Sequence, residues 1–279
     1  MNRKFSLSAG LCAVAAAATL ALVGPGTAVG HRQGPVPAPP TNPTRADQIQ
    51  NIDQVRTAIK GYYGDTVTDQ VDPVPNNVDG ADVVLHTFDQ DGSYAHEVAG
   101  IERRASWYLA HRAHRHHFDG KPALIFDIDD TTLNTFNYEI YSNFAYNPTT
   151  NGYFVNAAVF PAVPGMPELV SRAAAQGYEV FFLTGRPETQ RAGTATNLTN
   201  AGYGTPAADH VFLKDQTLPW LSSCTPGCTS AQYKALTRQH LIEDLGFDIV
   251  ANFGDQPSDF TGGFEDTTVK LPNPMYYLP

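Results

Sequence analysis

One short apolar stretch leads directly into a group of carboxylates and hydroxyls. Residues 123–126 read Ala-Leu-Ile-Phe, and they are followed by Asp127, Asp129, Asp130, Thr131 and Thr132. A continuous apolar run is typical of a strand buried on both faces of a parallel sheet, and open α/β sheets carry their chemistry just beyond the carboxyl ends of the strands. Carboxylates crowded at such an end repel one another, and a hard divalent cation with oxygen ligands would offset that repulsion. The pattern favours a metal-assisted site over its alternative, an acidic turn that follows a core strand.

Two later strand ends carry residues of related chemistry. The apolar stretch 179–184 ends in Thr184-Gly185-Arg186, which combines a hydroxyl, a flexible backbone and a cation. The stretch 249–253 leads into a segment that contains Asp255 and Asp259. If the sheet is parallel, these strand ends converge with the first one, and the carboxylates of the two segments complete a metal site.

A fixed positive charge is expected from a helix at 231–245, where Lys234 and Arg238 lie one turn apart on one face. Together the segments offer a nucleophile, a proton carrier, hydrogen-bond donors and cations. Phosphoryl transfer needs this mixture, because charge develops on the equatorial oxygens in the transition state.

The elements that must position these residues follow from hydrophobic patterning. Predicted strands are 123–126, 179–184, 210–213, 249–253 and 269–271; predicted helices are 47–62, 94–114, 167–176, 189–201 and 231–245. Residues 64–91 are predicted to be mostly loop, and 134–160, rich in Tyr, Phe and Asn, to be a small lid over the first strand end. The alternation of strands and helices predicts an α/β fold, a parallel central sheet with right-handed crossovers.

The first residues are predicted to be a targeting segment. Arg3 and Lys4 precede an apolar run at 11–23, and small residues at 28–30 offer a cleavage site, so 1–30 is typical of a secretory signal peptide. The apolar run is too short for a comfortable membrane span. We expect an exported protein, secreted or periplasmic, with a Pro-rich linker at 31–45, an N-terminal helical extension at 46–120 and the catalytic core at 121–279.

Charge narrows the choice of partners. The chain has a net charge of −10, and beyond residue 30 it has 16 Lys+Arg against 28 Asp+Glu, a net charge of −12. Nucleic acid and anionic membrane surfaces are poor partners for so acidic a chain. We therefore expect a small-molecule substrate, and the sequence does not indicate an oligomeric state.

Two further clusters of residues could carry chemistry. Cys224 and Cys228 flank a Pro-Gly turn and, after export, favour a short-loop disulfide over a redox-active or zinc-binding pair. Residues 111–117 hold four histidines and two arginines, which suit a transition metal or an anion. A cationic helix C-terminus is the favoured interpretation, since no carboxylate or cysteine is interleaved to orient the rings.

The chain resembles the haloacid dehalogenase (HAD) superfamily in four segments that occur in the family's order. The family motif DxDxT matches 127–131, the strand ending in Thr or Ser matches Thr184, the helical lysine matches Lys234, and GDxxxD matches 254–259. Within the superfamily it is similar to secreted class B acid phosphatases and plant acid phosphatase/vegetative storage proteins, through FDIDDT, LTGR, YK, GDQxSD and the tail KLPNP. The resemblance covers 121–277 and implies a HAD-like Rossmannoid three-layer sandwich.

The resemblance implies roles for the carboxylates. Asp127 is expected to attack phosphorus and form an aspartyl-phosphate; Asp129 is expected to protonate the leaving alcohol and then to deprotonate the hydrolytic water. Mg²⁺ is expected on Asp127, the backbone carbonyl of Asp129 and Asp255. Asp259 is expected either to bind the metal through water or to orient Lys234.

It also implies that Thr184, Gly185, Arg186 and Lys234 bind the transferring phosphoryl group. Lys214 is a rival for the lysine role, but it directly follows a strand, whereas the family's lysine opens a helix.

Structural alternatives remain open for single residues. Thr184 could cap the following helix, Arg186 could be a surface salt-bridge partner, and Asp259 could be an N-cap or turn residue. Asp130 is interpreted as a turn or supporting residue.

The predicted function is a secreted Mg²⁺-dependent phosphomonoesterase. The alternatives are a storage or binding protein that kept the fold and lost turnover, and a phosphotransferase that moves phosphate to an acceptor alcohol. The presence of both Asp127 and Asp129 argues against lost turnover. Residues 134–160 are expected to line the leaving-group side, but they contain no readable code for the substrate.

Overall fold

The computed structural model describes residues 42–75, 84–115, 117–224 and 226–279. The predicted signal peptide and residues 31–41 of the predicted linker lie outside these ranges. Within them, no helix combines the length and the apolar character needed to cross a bilayer.

The described chain alternates strands and helices as predicted. The strands are β1 Thr66–Val67, β2 His86–Thr87, β3 Lys121–Phe126, β4 Glu179–Pro187, β5 Val211–Lys214, β6 Phe247–Gly254 and β7 Thr268–Lys270. The helices are α1 Ile52–Tyr63, α2 Ser93–Arg115, α3 Phe136–Tyr141, α4 Pro148–Ala157, α5 Met166–Ala175, α6 Arg191–Asn200, α7 Ser230–Glu243 and α8 Pro257–Phe260. The predicted strands and helices are confirmed within three residues at their ends, except that the first helix begins at Ile52, five residues later than predicted.

The main sheet is parallel, with strand order β5-β4-β3-β6-β7, so β3 is its central strand. Alternate residues of β3 enter opposite cores: Leu124 and Phe126 pack on the α2/α5 side, and Ala123 and Ile125 on the α7 side. The apolar run is thus buried on both faces, as predicted, and the architecture is the expected three-layer sandwich. β1 and β2 form a separate antiparallel ribbon inside the segment predicted as loop.

The strand register brings the site segments to one edge. Phe126, the last residue of β3, is paired with Phe182 in β4 and with Phe253 in β6. Residues just after these three positions therefore lie side by side at the carboxyl edge of the sheet.

The N-terminal helices share the main core. Tyr63 at the end of α1 stacks on Phe136 of α3 with a centroid distance of 4.6 Å, and Tyr94 of α2 lies 4.4 Å from Tyr63. Trp107 of α2 does not face this core, since its exposure is 63 %. The buried face of α2 passes through Ala105, and a residue two positions further is rotated by about 200° in an α-helix.

The segment 134–160, predicted as a lid without periodicity, contains α3 and α4. It leaves and rejoins the core at one place, where the Asn134 N–H donates to the Pro161 carbonyl at 2.8 Å. α4 packs closely on α6. Gly193 of α6 lies so near α4 that an added Cβ would be 2.5 Å from the Val155 carbonyl oxygen. This close approach holds the inserted helices against the sheet layer.

Cys224 and Cys228 form the predicted disulfide, with a Cα–Cα distance of 5.0 Å. Cys228 is buried in the core on the α7 side. The bridged loop comes directly before α7 and so leads the chain into the helix that carries Lys234.

Replacing Gly193 with Ala tests the α4–α6 contact. We expect Gly193→Ala to lower the free energy of unfolding by about 1–3 kcal/mol, because the new methyl group overpacks the interface. Gly61→Ala is the matched control, since a Cβ there meets nothing within 4 Å and Ala is favoured in a helix. It should raise stability by about 0.5–1 kcal/mol. Urea unfolding measures both, and equal effects of the two variants would contradict the packing described here.

Candidate active site

A cavity of about 380 Å³ opens at the carboxyl edge of the sheet. Its floor is formed by carboxylates and one lysine: Asp127, Asp129, Asp255, Asp259 and Lys234. Residues of the inserted helices and their loop, together with the C-terminal tail, form other parts of the wall: Thr135, Glu139, Phe144, Tyr146, Asn151, Tyr276 and Leu278. The strand ends singled out in the sequence thus converge on one concave site.

Lys234 is held between two carboxylates at the bottom of this cavity. Its Nζ donates to Asp127 Oδ1 and to Asp259 Oδ1, both at 2.5 Å, and all three residues are buried. Burial alone would lower the pKa of Lys234, but the charges of Asp127 and Asp259 raise it above its ordinary value. The rival Lys214 lies at the end of β5 and is not among the cavity residues.

Local sequence explains why Lys234 reaches this position. Thr229 caps α7 through a capping box: its hydroxyl accepts from the Gln232 N–H, and the Gln232 side chain accepts from the Thr229 N–H. The cap fixes where the helix starts, one turn before Lys234.

The Asp259 carboxylate is also bound by backbone groups of the preceding loop. Its Oδ2 accepts hydrogen bonds from the backbone N–H groups of Asp255 and Gln256, at 2.9 and 2.8 Å. A Cβ at Gly254 would lie 2.4 Å from this oxygen, so only glycine lets the carboxylate fold back. Of the two roles expected for Asp259, these contacts support the orientation of Lys234.

Three buried carboxylates, those of Asp127, Asp255 and Asp259, bring one oxygen each within 4.8 Å of one another. Burial and the neighbouring Asp259 and Asp130 raise the pKa of Asp255 to about 7, and burial raises the pKa of Asp127 against the opposing charge of Lys234. A single ammonium contacts this group, and all its ligand atoms are oxygens. The donor set therefore fits a hard divalent cation such as Mg²⁺.

Asp129 points away from this group and pairs with Arg186. Arg186 Nε donates to both carboxylate oxygens of Asp129 at 3.1 and 3.0 Å, and Nη2 donates to Oδ1 at 2.5 Å. Arg186 Nη1 donates to Thr194 on α6 at 3.1 Å. The side chain of Asp129 is thus not part of the metal-competent group, and a metal contact by its backbone carbonyl stays a prediction.

Arg186 does not fit the alternative of a surface salt-bridge partner. It is 5 % exposed, so it is not a surface salt-bridge partner. Three of its nitrogens already donate to Asp129 and Thr194, so phosphate binding by Arg186 stays an untested prediction and its contacts suit the orientation of Asp129.

Thr184 is fully buried, and its hydroxyl accepts from the Arg186 N–H at 3.2 Å. It is not a cavity-lining residue, whereas its neighbour Gly185 and Ser230, the first residue of α7, both line the cavity. Sequence reasoning missed Ser230, although its place directly after a helix N-cap was the available signal, because helix N-termini bind anions.

Asp130 links the first strand end to two distant segments. Its backbone is left-handed, with φ of 55°. Its carboxylate accepts from Thr135 N at 3.0 Å, Thr135 Oγ1 at 2.5 Å and Tyr276 Oη at 2.9 Å. Burial raises the pKa of Asp130 to about 7. The supporting role expected for Asp130 therefore extends to the inserted helices and to the C-terminal tail.

The described histidines of 111–117, namely His111, His114 and His117, do not line the cavity. His111 stacks on Trp107 with a centroid distance of 4.1 Å, and both His111 and His114 are exposed; His116 lies outside the described residues. Among the described residues, the metal-competent group contains aspartates alone.

A parallel sheet with a cluster of buried aspartates at its carboxyl edge, and a lysine between two of them, is the arrangement expected of a HAD-like α/β fold. The family model described as "HAD superfamily, subfamily IIIB (Acid phosphatase)" matches residues 70–279. The chain belongs to this family. The match starts 51 residues before the 121–277 region of the resemblance and so includes α2.

Two relatives agree with this assignment, and a solved structure shares the fold. The chain is 36 % identical over 163 residues to a stem 28 kDa glycoprotein of Glycine max (57 % of this chain, 61 % of the relative). It is 36 % identical over 166 residues to acid phosphatase 1 of Solanum lycopersicum (57 % and 60 %). The matched region thus spans about three fifths of each relative. The class C acid phosphatase of Bacillus anthracis shares the fold, with a TM-score of 0.52 at 22 % identity over 66 % of this chain and 80 % of that one.

Removing the Asp130 carboxylate tests its linking role. We expect Asp130→Ala to lower the free energy of unfolding by about 2–4 kcal/mol, because buried donors on Thr135 and Tyr276 lose their acceptor. Asp130→Asn should cost less, since its amide oxygen can still accept from Thr135. Tyr276→Phe, which removes a single donor, should cost about 1 kcal/mol. Urea unfolding measures the series; an Asp130→Ala variant as stable as wild type would refute this role.

Proposed function

We propose that the protein is a divalent-metal-dependent phosphomonoesterase that works through an aspartyl-phosphate. One observation carries the proposal: Lys234 Nζ bridges Asp127 and Asp259 at 2.5 Å beside Asp255, on the floor of an open cavity. The arrangement sets a nucleophilic carboxylate, a fixed cation and a metal-competent group around one point.

The first half-reaction forms the covalent intermediate. A carboxylate oxygen of Asp127 attacks phosphorus while the bond to the ester oxygen breaks. Asp129, held by Arg186, delivers its proton to the departing alcohol oxygen. The product is an acyl phosphate on Asp127 and a free alcohol.

The second half-reaction regenerates the enzyme. Asp129 takes a proton from a water molecule, the water oxygen attacks phosphorus, and the bond to Asp127 breaks to release inorganic phosphate. Lys234 stabilises the charge on the transferring group, and Gly185 and Ser230 are placed to contact its oxygens.

Asp127, Asp255 and the backbone carbonyl of Asp129 would hold the ion. When bound, a divalent cation such as Mg²⁺ screens the Asp127 carboxylate from the negative phosphate and stabilises charge on the transferring oxygens. The local donor chemistry supports this assignment, since every offered ligand atom is an oxygen.

The substrate is proposed to be a small phosphomonoester, and the compartment to be outside the cytoplasm. The disulfide between Cys224 and Cys228 supports export, because such bonds persist in oxidising compartments.

Hydrolysis of p-nitrophenyl phosphate tests the proposal directly. Purified protein should release p-nitrophenol with Mg²⁺ and lose this activity with EDTA. Asp127→Asn should reduce kcat by at least about 10³-fold, because the amide cannot act as the nucleophile. The control is Asp209→Asn, an acid with 86 % side-chain exposure on another face, which should retain full activity. Folded, metal-replete wild type that hydrolyses no phosphomonoester would instead favour the storage or binding alternative.

Arg186 offers a second test, which separates two roles for its guanidinium. If Arg186 orients Asp129, Arg186→Ala should reduce kcat for alkyl phosphates by about 10²-fold, because their leaving groups need a proton. The burst of p-nitrophenol that accompanies formation of the aspartyl-phosphate should slow by less than about tenfold, since p-nitrophenolate leaves without a proton. Steady-state turnover of p-nitrophenyl phosphate should still fall, because the second half-reaction needs Asp129 as the base. Asp129→Asn is the matched variant and should show the same pattern.

Inhibition by inorganic phosphate completes this comparison. It should be unchanged in Arg186→Ala if the residue acts through Asp129. A loss in the p-nitrophenol burst rate as large as the loss in kcat for alkyl phosphates, together with weakened phosphate inhibition, would assign Arg186 to phosphate binding instead.

A further inference from the structure

Glu139 is a buried acid inside the cavity that the proposed mechanism does not use. It lies on α3, is 6 % exposed and lines the cavity together with Asp129. No hydrogen bond or ion pair joins its carboxylate to another side chain or backbone group in the described part of the protein. Most buried polar groups are paired, so an unpaired one that faces a cavity calls for an explanation.

The other carboxylates around the cavity make a clear contrast. Asp127 and Asp259 contact Lys234, and Asp129 contacts Arg186. Asp255 accepts from Gln256 at 2.6 Å and from Asn273 at 2.7 Å. Each of these acids has a donor within the protein, whereas Glu139 has none among the described residues.

Its surroundings increase the need for a donor. Burial and, to a lesser extent, the charge of Asp129 raise the pKa of Glu139 to about 7. Arg186, the cation that pairs with Asp129, is already engaged by Asp129 and Thr194. The Glu139 carboxylate therefore faces the cavity without a donor from the described residues.

The position of Glu139 indicates what would approach it. Asp129, which would protonate the leaving oxygen, interacts electrostatically with Glu139, and Tyr146 does so as well. Lys234, Gly185 and Ser230 belong to the phosphoryl side of the same cavity. Glu139 thus lies on the side that the alcohol part of an ester would occupy.

We infer that Glu139 is a specificity residue that accepts a hydrogen bond from a hydroxyl or ammonium group on the leaving alcohol. This inference rests on the proposed phosphomonoesterase function. The substrate class is then a phosphate ester of a polyol or amino alcohol, and esters whose alcohol part bears a second anionic group are disfavoured by repulsion.

A set of two-carbon esters that differ in their terminal group tests this inference. The substrates are ethyl phosphate, 2-hydroxyethyl phosphate, 2-aminoethyl phosphate and 2-phosphoglycolate, and kcat/KM is measured for each. Wild type should prefer the hydroxyl or the ammonium ester to ethyl phosphate by about tenfold or more, and phosphoglycolate should be the poorest substrate. Which of the two donors is preferred distinguishes a polyol from an amino alcohol.

The variants examine whether Glu139 causes the preference. In Glu139→Gln a hydroxyl preference should persist, while any ammonium preference should fall about tenfold and phosphoglycolate should improve relative to ethyl phosphate. In Glu139→Ala the ratios to ethyl phosphate should all approach one. Glu168→Gln is the control, because Glu168 is an exposed acid outside this cavity and should keep the wild-type ratios.

Failure of this inference can be distinguished from failure of the proposed phosphomonoesterase function. Equal kcat/KM for ethyl, hydroxyethyl and aminoethyl phosphates in wild type would overturn the inference even if no variant folded. Wild-type ratios that persist in Glu139→Gln and Glu139→Ala would also overturn it, while active turnover of all four esters would leave the phosphomonoesterase function standing. Wild type inert towards these esters and towards p-nitrophenyl phosphate would overturn both.

Discussion

The ammonium of Lys234 between Asp127 and Asp259 is the contact on which the rest of the site depends. It joins three chain segments: the end of β3, the first turns of α7 and the short helix α8 after β6. Buried carboxylates this close would otherwise repel, and the cost of burying each charge would be unmet. The cation is buried only because two anions surround it, and the anions gather only because the cation and the N–H groups of the 254–259 loop receive them.

Three features of the backbone position the residues of the Lys234 contact. The missing side chain at Gly254 lets Asp259 turn back on the N–H groups of Asp255 and Gln256. The capping box at Thr229 sets the start of α7, and the parallel register of β3 with β6 sets the height of Asp127 beside the loop. A small shift in any of these features would move the charged groups of Lys234, Asp127 and Asp259 out of contact.

The central sheet was predictable from sequence because each buried strand is a short apolar run followed by polar residues, and because Asp127, Lys234 and Asp255 occur in recognisable local patterns. Contacts between distant segments were not predictable from the sequence. Arg186 pairs with Asp129 across 57 residues, and Tyr276 reaches Asp130 across 146; no local periodicity records such pairs. α4 was missed because its packing depends on Gly193 in another helix. Glu139 was not predicted as a site residue, because acidic residues are usually exposed and its burial is visible only in the structure.

The segment after β7 is more than a proline-rich ending. Asn273 donates to Asp255, Tyr276 to Asp130, and the Leu278 N–H to the Gln256 side chain, while Leu278 itself lines the cavity. Any polypeptide that continues beyond Pro279, whether natural or added as an affinity tag, would begin beside the cavity wall. A tag fused at this end can therefore decide whether a preparation has an open or an obstructed pocket.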